Sequence, residues 1–211
     1  MLIKRVETIE MSWPEIKEAD AAKKMRSGDR IPLTLKTGEE LEVDFTYDET
    51  GKGFFVFHDC MKEPRAMNKR NTNKGGWAKS DLRKEANGEI FDSFPDELRD
   101  LIVPTKIVQV IDGKRIECED KLFCLSRVQV AGRGYKSAVE CSPEDTQFDI
   151  FKTERSRVKE CGDNGTYSWW ERGPLVTYSY GFCIVNTSGN PYGSYYANSR
   201  NGVSLGFCLN P

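Results

Sequence analysis

The N-terminal part of the chain has apolar and polar positions in patterns that predict one helix followed by β-structure. Residues 14–25, PEIKEADAAKKM, fit an amphipathic helix with Ser12 near its N-cap. The short apolar runs 31–35 and 40–45 flank the polar tetrapeptide KTGE and predict a β-hairpin. The run 53–58, GFFVFH, is continuously apolar until its last residue and predicts a buried strand.

The rest of the chain has the patterns of a loop, further helices and further strands. Residues 68–77, NKRNTNKGGW, have the composition of a loop. Capping residues and prolines predict three further helices, at 80–94, at 95–102 and from 142 towards 157. The remaining apolar runs predict strands at 106–111, 121–125, 182–186 and 203–209. Helices and strands in such a mixed order indicate an α+β fold.

Length and charge limit the classes of function. A chain of 211 residues can bury a full core, and we expect an N-terminal helical segment, residues 1–27, packed on a main domain of residues 28–211. The formal net charge of −2 gives no electrostatic case for binding nucleic acid or an anionic membrane. No window approaches the ~20 apolar residues of a membrane-spanning helix, so membrane insertion is not expected.

The first residues contain a Lys-Arg pair without a following apolar segment, so we expect no signal peptide and synthesis in the cytoplasm. The seven cysteines, an odd number without a CxxC pair, indicate reduced thiols. A bridge between Cys183 and Cys208 after export is an alternative that the sequence does not favour.

Neither catalytic nor metal-binding residues stand out. His58 is the only histidine, and its neighbour Asp59 would point to the opposite face of a strand, so the two do not converge. Residues 132–137, GRGYKS, lack the spacing of a phosphate-binding loop and are interpreted as an ordinary loop. We therefore expect no enzyme, no cofactor and no metal.

The last 39 residues, 173–211, have an unusual composition. They contain no Lys, Glu, Gln, Met or Trp, whereas the preceding 172 residues contain 48 residues of these types. These five are the amino acids that no pyrimidine-ended codon can specify. The segment is rich in Tyr, Ser, Gly, Asn and Thr, a mixture typical of binding loops, because Tyr gives rigid contact area and the others give adaptable hydrogen bonds. It also lacks Asp and Glu, which argues against a calcium-dependent sugar site.

Several motifs in fixed order carry a resemblance that spans about residues 28–209. They are TNKGGWAKSDLR at 72–83, DKLFCLS at 120–126, WWERGP at 169–174, FCIVN at 182–186 and GVSLGF at 202–207. Together they resemble the C-type-lectin-fold variable proteins of diversity-generating retroelements, of a type common in gut bacteria and their phages. Gly173 departs from the Ser usual in the third motif.

The resemblance implies a C-type-lectin-like α+β fold with a small twisted antiparallel sheet, flanking helices and long C-terminal loops. In such systems a reverse transcriptase copies a template repeat with errors at adenines, and the copy replaces the 3′ end of the gene. Asn codons then become other pyrimidine-ended codons, which would account for the composition of the tail. The implied variable region is 173–201. The implied framework is Trp169, Trp170, Arg172, Phe182, Cys183, Val185, Gly189, Gly202, Val203 and Phe207.

The implied function is recognition without chemistry. The expected partner is a protein or glycan on a bacterial or phage surface, with display on a phage particle or cell surface by an unseen route; homo-oligomer formation stays open. The residues expected to form the ligand-binding surface are Leu175, Val176, Thr177, Tyr178, Tyr180, Ile184, Ser188, Tyr192, Gly193, Ser194, Tyr195, Tyr196 and Asn198.

Two alternatives from other classes stay open. A formylglycine-generating-type or other thiol enzyme would share the C-type-lectin fold and use paired cysteines near the C-terminus, although Cys183 and Cys208 lie in apolar contexts. A structural phage or cell-surface module would have no variable face, and its tyrosines would be half-buried in a β-rich end.

Overall fold

The computed structural model describes residues 9–134, 141–191 and 193–210. The predicted α+β class is confirmed, with a curled antiparallel sheet as the main element. The helix α1 (Trp13–Ala21) begins where the sequence predicts, because Ser12 and Glu15 form a capping box in which Glu15 accepts the Ser12 backbone N–H at 2.8 Å. Residues 1–8 and the end of the predicted loop at 132–137 lie outside the described ranges.

The other regular elements are short. Further helices in the described residues are α2 (Asp81–Glu85), which continues into a π-helical segment at Ala86–Ile90, α3 (Asp96–Arg99) and α4 (Arg127–Ala131). The strands there are β1 (Arg30–Thr34), β2 (Glu40–Tyr47), β3 (Gly53–Phe57), β4 (Arg65–Ala66), β5 (Ile102–Val103), β6 (Thr105–Ile111), β7 (Lys114–Asp120), β8 (Phe123–Cys124), β9 (Lys159–Glu160), β10 (Thr166–Tyr167), β11 (Trp169–Pro174), β12 (Gly181–Val185), β13 (Gly193–Tyr196), β14 (Arg200–Asn201) and β15 (Leu205–Leu209). None of the helices in the described ranges has the length and apolarity that crossing a lipid bilayer requires.

The main sheet has the order β1-β2-β3-β15-β5, and β8 also pairs with β15. The β1–β2 hairpin matches the prediction, with Gly38 in the left-handed region at φ +84° in its turn. The last strand lies inside the sheet, where Phe207 stacks on Phe55 with ring centroids 5.3 Å apart. Trp13 of α1 meets both rings edge-on, so the N-terminal helix and the C-terminal strand share one core.

A second, three-stranded antiparallel sheet has the order β11-β12-β13. A bulge interrupts the pairing of β11 with β12 between Trp170 and Pro174. Both tryptophans of β11 are fully buried: Trp169 donates its indole N–H to the carbonyl of Arg157 at 2.9 Å, and Trp170 donates to that of Arg65 at 2.8 Å. The two indoles therefore anchor β11 to the backbone of segments on either side of it in space.

Arg172 joins the two sheets. Its side chain is fully buried and donates to the carbonyl of Cys124 at 2.9 Å, to Oε1 of Gln129 at 2.7 Å and to the carboxylate of Asp145. Its backbone N–H donates to the carbonyl of Leu125 at 2.8 Å. One residue of β11 is thus bonded to β8, to α4 and to the segment that follows them.

The motifs at 72–83 and 120–126 meet at a buried carboxylate. Asp120 accepts the indole N–H of Trp77 at 2.7 Å and Nε of Arg83 at 2.7 Å. Gly76 precedes Trp77 with φ +58°, and a side chain there would overlap that of Ile111. The segment predicted as a loop thus ends in a tight turn and a fully buried tryptophan.

One predicted helix is absent, and several strands, among them β7, β11 and β13, were not predicted. The helix expected from 142 towards 157 is wrong: the segment contains only 3₁₀ turns at Asp149–Phe151 and Arg155–Arg157. The N–H of Phe148 donates to the carbonyl of Gln129 at 2.9 Å instead of one turn back along its own segment, because α4 supplies a competing partner. The strand β7 was missed, although the Asp112-Gly113 turn before it is a hairpin signal.

The burial of Trp170 leads to a prediction for stability. Trp170→Ala removes a fully buried indole and leaves the carbonyl of Arg65 without its donor, so the free energy of unfolding should fall by roughly 3–5 kcal/mol. Urea denaturation measures this change. Met11→Ala, at a position 40% exposed, is the control and should change it by less than about 0.5 kcal/mol. A loss below about 1 kcal/mol for Trp170→Ala would contradict its role as an anchor.

Candidate binding surface

Large exposed hydrophobic side chains concentrate in one part of the C-terminal segment. Of the five in the described residues, Val176, Tyr178, Tyr195 and Tyr196 are 43%, 56%, 48% and 54% exposed, and the fifth is the distant-in-sequence Met11. They lie on the loop 175–180 and on β13, which we together call the tyrosine surface. Exposed aromatic groups of this density mark contact surfaces, because they gain most from removal from water.

Three rings of the tyrosine surface form a continuous row. Tyr178 stacks on Tyr180 with ring centroids 5.3 Å apart and planes at 26°. Tyr180 then contacts Tyr196 at 5.2 Å with planes at 41°. The row therefore crosses from the loop to the edge strand, and each ring restricts the motion of the next before any ligand is bound.

Asn73 holds the loop 175–180 by its main chain. The two hydrogens on Nδ2 of this buried amide are shared among three carbonyls, and its backbone N–H donates to a fourth. The four acceptors are the carbonyl oxygens of Leu175 at 3.0 Å, Tyr178 at 2.7 Å, Gly181 at 2.9 Å and Ser179 at 2.9 Å. Since every bond ends on a carbonyl, the position of the loop does not depend on which side chains it carries. Asn73 lies in the motif at 72–83, but this role was not predicted from the sequence.

The edge strand β13 is also held through its backbone. It pairs with β12 from Gly193 opposite Ile184 to Tyr196 opposite Gly181. Just beyond it, the N–H of Ala197 donates to the carbonyl of Tyr180 at 2.8 Å. The β-ladder thus brings Tyr196 beside the loop that bears Tyr180.

The structure places most predicted site residues on the outside. The exposed ones are Val176, Thr177, Tyr178, Ser188, Ser194, Tyr195, Tyr196 and Asn198, and the partly buried ones are Leu175, Tyr180 and Gly193. Ser188 lies in the turn between β12 and β13, at the end of this hairpin away from Tyr180, and so is not brought to the tyrosine row. Tyr192 lies outside the described residues.

The expectation that Ile184 is displayed is wrong. Its side chain is 2% exposed and belongs to the hydrophobic core. Ile184 lies on β12, the central strand of the three-stranded sheet, and all five residues of this strand are buried. Gly193 opposite has no side chain, and a Cβ there would lie 2.7 Å from Cδ1 of Ile184. A position enclosed in this way contributes packing instead of contact with a ligand.

A buried ion pair supports the first residue of β13. Arg127 donates from Nε to Glu171 at 2.9 Å and from a terminal nitrogen to the carbonyl of Gly193 at 3.0 Å. Burial raises the pKa of Glu171 to about 7, and the guanidinium of Arg127 opposes this rise. The backbone beneath the tyrosine surface is therefore bonded to a guanidinium, and the carboxyl partner of that guanidinium has a pKa raised to about 7.

The buried cysteines bear on the thiol-enzyme alternative. Burial raises the pKa of Cys183 to about 12 and also raises the pKa of Cys208, so both thiols are protonated at neutral pH. The two residues lie on strands of different sheets, β12 and β15. Among the described residues, no group of three or more His, Cys, Asp or Glu side chains could hold a metal ion.

A separate groove of about 1100 Å³ lies between the β1–β2 hairpin and the segments 59–63 and 160–163. Its lining carries seven carboxylates and one lysine, Lys62, and includes Cys60. None of the predicted site residues lines it. The acidic groove and the tyrosine surface are therefore distinct features of the molecule.

The pKa of Glu171 predicts a pH dependence of stability. Its ordinary pKa of 4.5 rises to about 7 on folding, so the folded protein holds a proton that the unfolded chain releases. The stabilising contribution of protonated Glu171 is therefore fully present below pH 4.5 and is lost as the pH rises through about 7. Relative to Glu171→Gln, the wild-type protein should lose about 3 kcal/mol of unfolding free energy across this interval. Urea denaturation of both proteins at a series of pH values measures the difference. A difference that stays constant with pH, or one of opposite slope, would contradict the prediction.

Comparison with known proteins gives one match. No curated protein and no solved structure matches the chain. A family profile described as "Domain of unknown function (DUF6273)" matches residues 52–211, from just before β3 to the end of the chain. The match includes Asn73, Arg172 and the whole tyrosine surface, and it covers well over half of the sequence. The chain therefore belongs to the DUF6273 family.

Proposed function

We propose that this chain is a ligand-binding protein whose tyrosine surface recognises a protein or glycan on a bacterial or phage surface. We propose further that it is a variable protein of a diversity-generating retroelement. In this proposal the curled sheet, the short flanking helices and the C-terminal loops constitute a C-type-lectin-like fold.

One observation carries the proposal. The exposed aromatic side chains concentrate in the same segment that lacks the five amino acids without pyrimidine-ended codons. A segment diversified at Asn codons would acquire this composition, and a binding segment would acquire this exposure. Neither a polar chain end nor a buried β-domain accounts for both properties at once.

The way in which the loop is held supports the same proposal. Asn73 and Arg127 both lie outside residues 173–201 and both bond to carbonyl oxygens inside that region. A surface that must accept many side chains requires such support, because contacts made by the variable side chains themselves would be lost on replacement.

The rival enzyme function has less support, since the two cysteines near the C-terminus are buried, protonated and on different sheets. A structural module without a variable face would show no clustered sequence variation in its C-terminal segment, which distinguishes it from the proposed variable protein. Fold alone does not assign the function in either case.

Sequencing the gene and its flank in sister strains tests the proposal. We expect substitutions to cluster at exposed positions such as Val176, Tyr178 and Tyr195, and to spare Arg172 and Phe182. The flanking DNA should hold a reverse-transcriptase gene and an Asn-codon-rich near-copy of the stretch encoding residues 173–211. Identical tails in diverged strains, together with a flank that holds neither feature, would refute diversification.

A matched pair of variants tests whether the tyrosines are free for binding. Tyr195 and Phe182 are opposite each other in the β12–β13 ladder, but Phe182 is fully buried and Tyr195 is 48% exposed. Phe182→Ala should cost roughly 3–5 kcal/mol of unfolding free energy, and the triple replacement of Tyr178, Tyr195 and Tyr196 by Ala less than about 1.5 kcal/mol. Chemical denaturation measures both. A triple variant as destabilised as Phe182→Ala would show that the tyrosines are structural.

A further inference from the structure

Cys60 and Cys161 are neighbours in space although they are about 100 residues apart in sequence. They are partners in a parallel β-bridge, and the backbone N–H of Cys60 donates to the carbonyl of Glu160 at 2.8 Å. Both side chains are buried, and Cys60 lines the acidic groove. The disulfide alternative weighed from the sequence was Cys183 with Cys208, so this pair was not predicted.

The bridge gives the two cysteines the geometry of a disulfide. Paired strands lie about 4.8 Å apart, which falls within the Cα separation of roughly 4.4–6.8 Å found across disulfides. Partners in a ladder project their side chains to the same face, so the bridge places the side chains of Cys60 and Cys161 next to each other. The backbone of the two residues is therefore positioned for a bond between their sulfurs.

The surroundings leave room for the sulfurs. Gly202 packs against Cys60, and a Cβ at Gly202 would lie only 2.5 Å from the Cys60 Sγ. On the other side, the Cys161 thiol donates to the carbonyl of Met61 at 3.2 Å. The pair thus packs between Gly202 and the carbonyl of Met61, and Cys60 also lines the groove.

We propose that Cys60 and Cys161 form a redox-active pair that hydrogen peroxide oxidises to an intramolecular disulfide. Hydrogen peroxide is close to water in size, which suits a buried pair of which one member, Cys60, lines a groove and the other, Cys161, is its neighbour. The assignment is independent of the function proposed for the tyrosine surface.

The reaction balances with peroxide as the only oxidant. The Cys161 thiolate attacks one peroxide oxygen and breaks the O–O bond, giving a sulfenic acid and a hydroxide that takes up the proton released by the thiol. The sulfur of Cys60 then displaces the sulfenic oxygen as a second water. Two thiols and one peroxide thus become one disulfide and two waters. The hydrogen bond with Cys60 lowers the pKa of Cys161, which makes Cys161 the attacking group.

The other cysteines compete poorly. Cys118 is the most exposed of them, but burial and the neighbouring carboxylate of Asp120 raise its pKa to about 11. Burial raises the pKa of Cys183 to about 12 and also raises that of Cys124. Thiols that stay protonated react slowly with peroxide, so oxidation should be selective for the pair.

Peptide mapping of the full-length protein tests the proposal directly. Trypsin places each cysteine in its own peptide, Cys60 in Gly53–Lys62 and Cys161 in Glu160–Arg172. After peroxide treatment and alkylation, these two peptides should appear joined, with two hydrogens lost, and the free thiols should fall from seven to five. A reducing phosphine should restore all seven. Oxidation should raise the melting temperature by about 5–10 °C, because the bond closes a long loop of the unfolded chain.

Two variants serve as controls. Cys118→Ser should keep both the joined peptides and the rise in melting temperature, whereas Cys60→Ser should lose both. If Cys60→Ser does not fold, the peptide map of the wild-type protein by itself shows whether Cys60 and Cys161 are joined. Seven free thiols after peroxide treatment, or joined peptides from any other cysteines, would overturn the proposal.

Discussion

The buried guanidinium of Arg172 is the interaction on which the C-terminal half of the molecule depends. It bonds β11 to the carbonyl of Cys124 in the main sheet and to Gln129 on α4, and it pairs with Asp145. A buried charge that loses one of its partners costs roughly 3–5 kcal/mol, so this arrangement tolerates little change. Strands β12 and β13 follow β11 in the same sheet, so Arg172 acts together with Asn73 and Arg127 in attaching the tyrosine surface to the protein.

The residues that hold the C-terminal loops in place are different from the residues that these loops expose. Asn73, Arg127 and Arg172 hold backbone groups, while the tyrosines that follow them in sequence point outward. Ile184 marks the limit of this separation. It lies within the segment of unusual composition, but β12 is the central strand of its sheet and both faces of this strand are buried. A residue of the C-terminal segment is therefore not available to a ligand merely because it belongs to this segment. Its position in the sheet determines whether its side chain is exposed.

Local signals were predictable from the sequence, and long-range partners were not. The capping box of Ser12 and the turn at Gly38 act between residues a few positions apart, so α1 and the β1–β2 hairpin could be predicted. The segment 142–157 has helical signals of the same kind, but within it the N–H of Phe148 donates to the carbonyl of Gln129 on α4. The site divides in the same way. Composition and motifs predicted the exposed tyrosines, whereas the bonds from Asn73 to a loop about 100 residues away left no local signal.

The position of the cysteine pair connects stability with the proposed display of varied side chains. Folded domains are only marginally stable, and most random replacements destabilise them. Cys60 and Cys161 lie outside residues 173–201, next to Gly202, whose carbonyl accepts the backbone N–H of Trp170 at 3.0 Å. A disulfide at this point strengthens the framework under β11 and touches none of the exposed tyrosines. Oxidation would thus raise the number of replacements that the tyrosine surface tolerates before the protein unfolds, without restricting which side chains it displays.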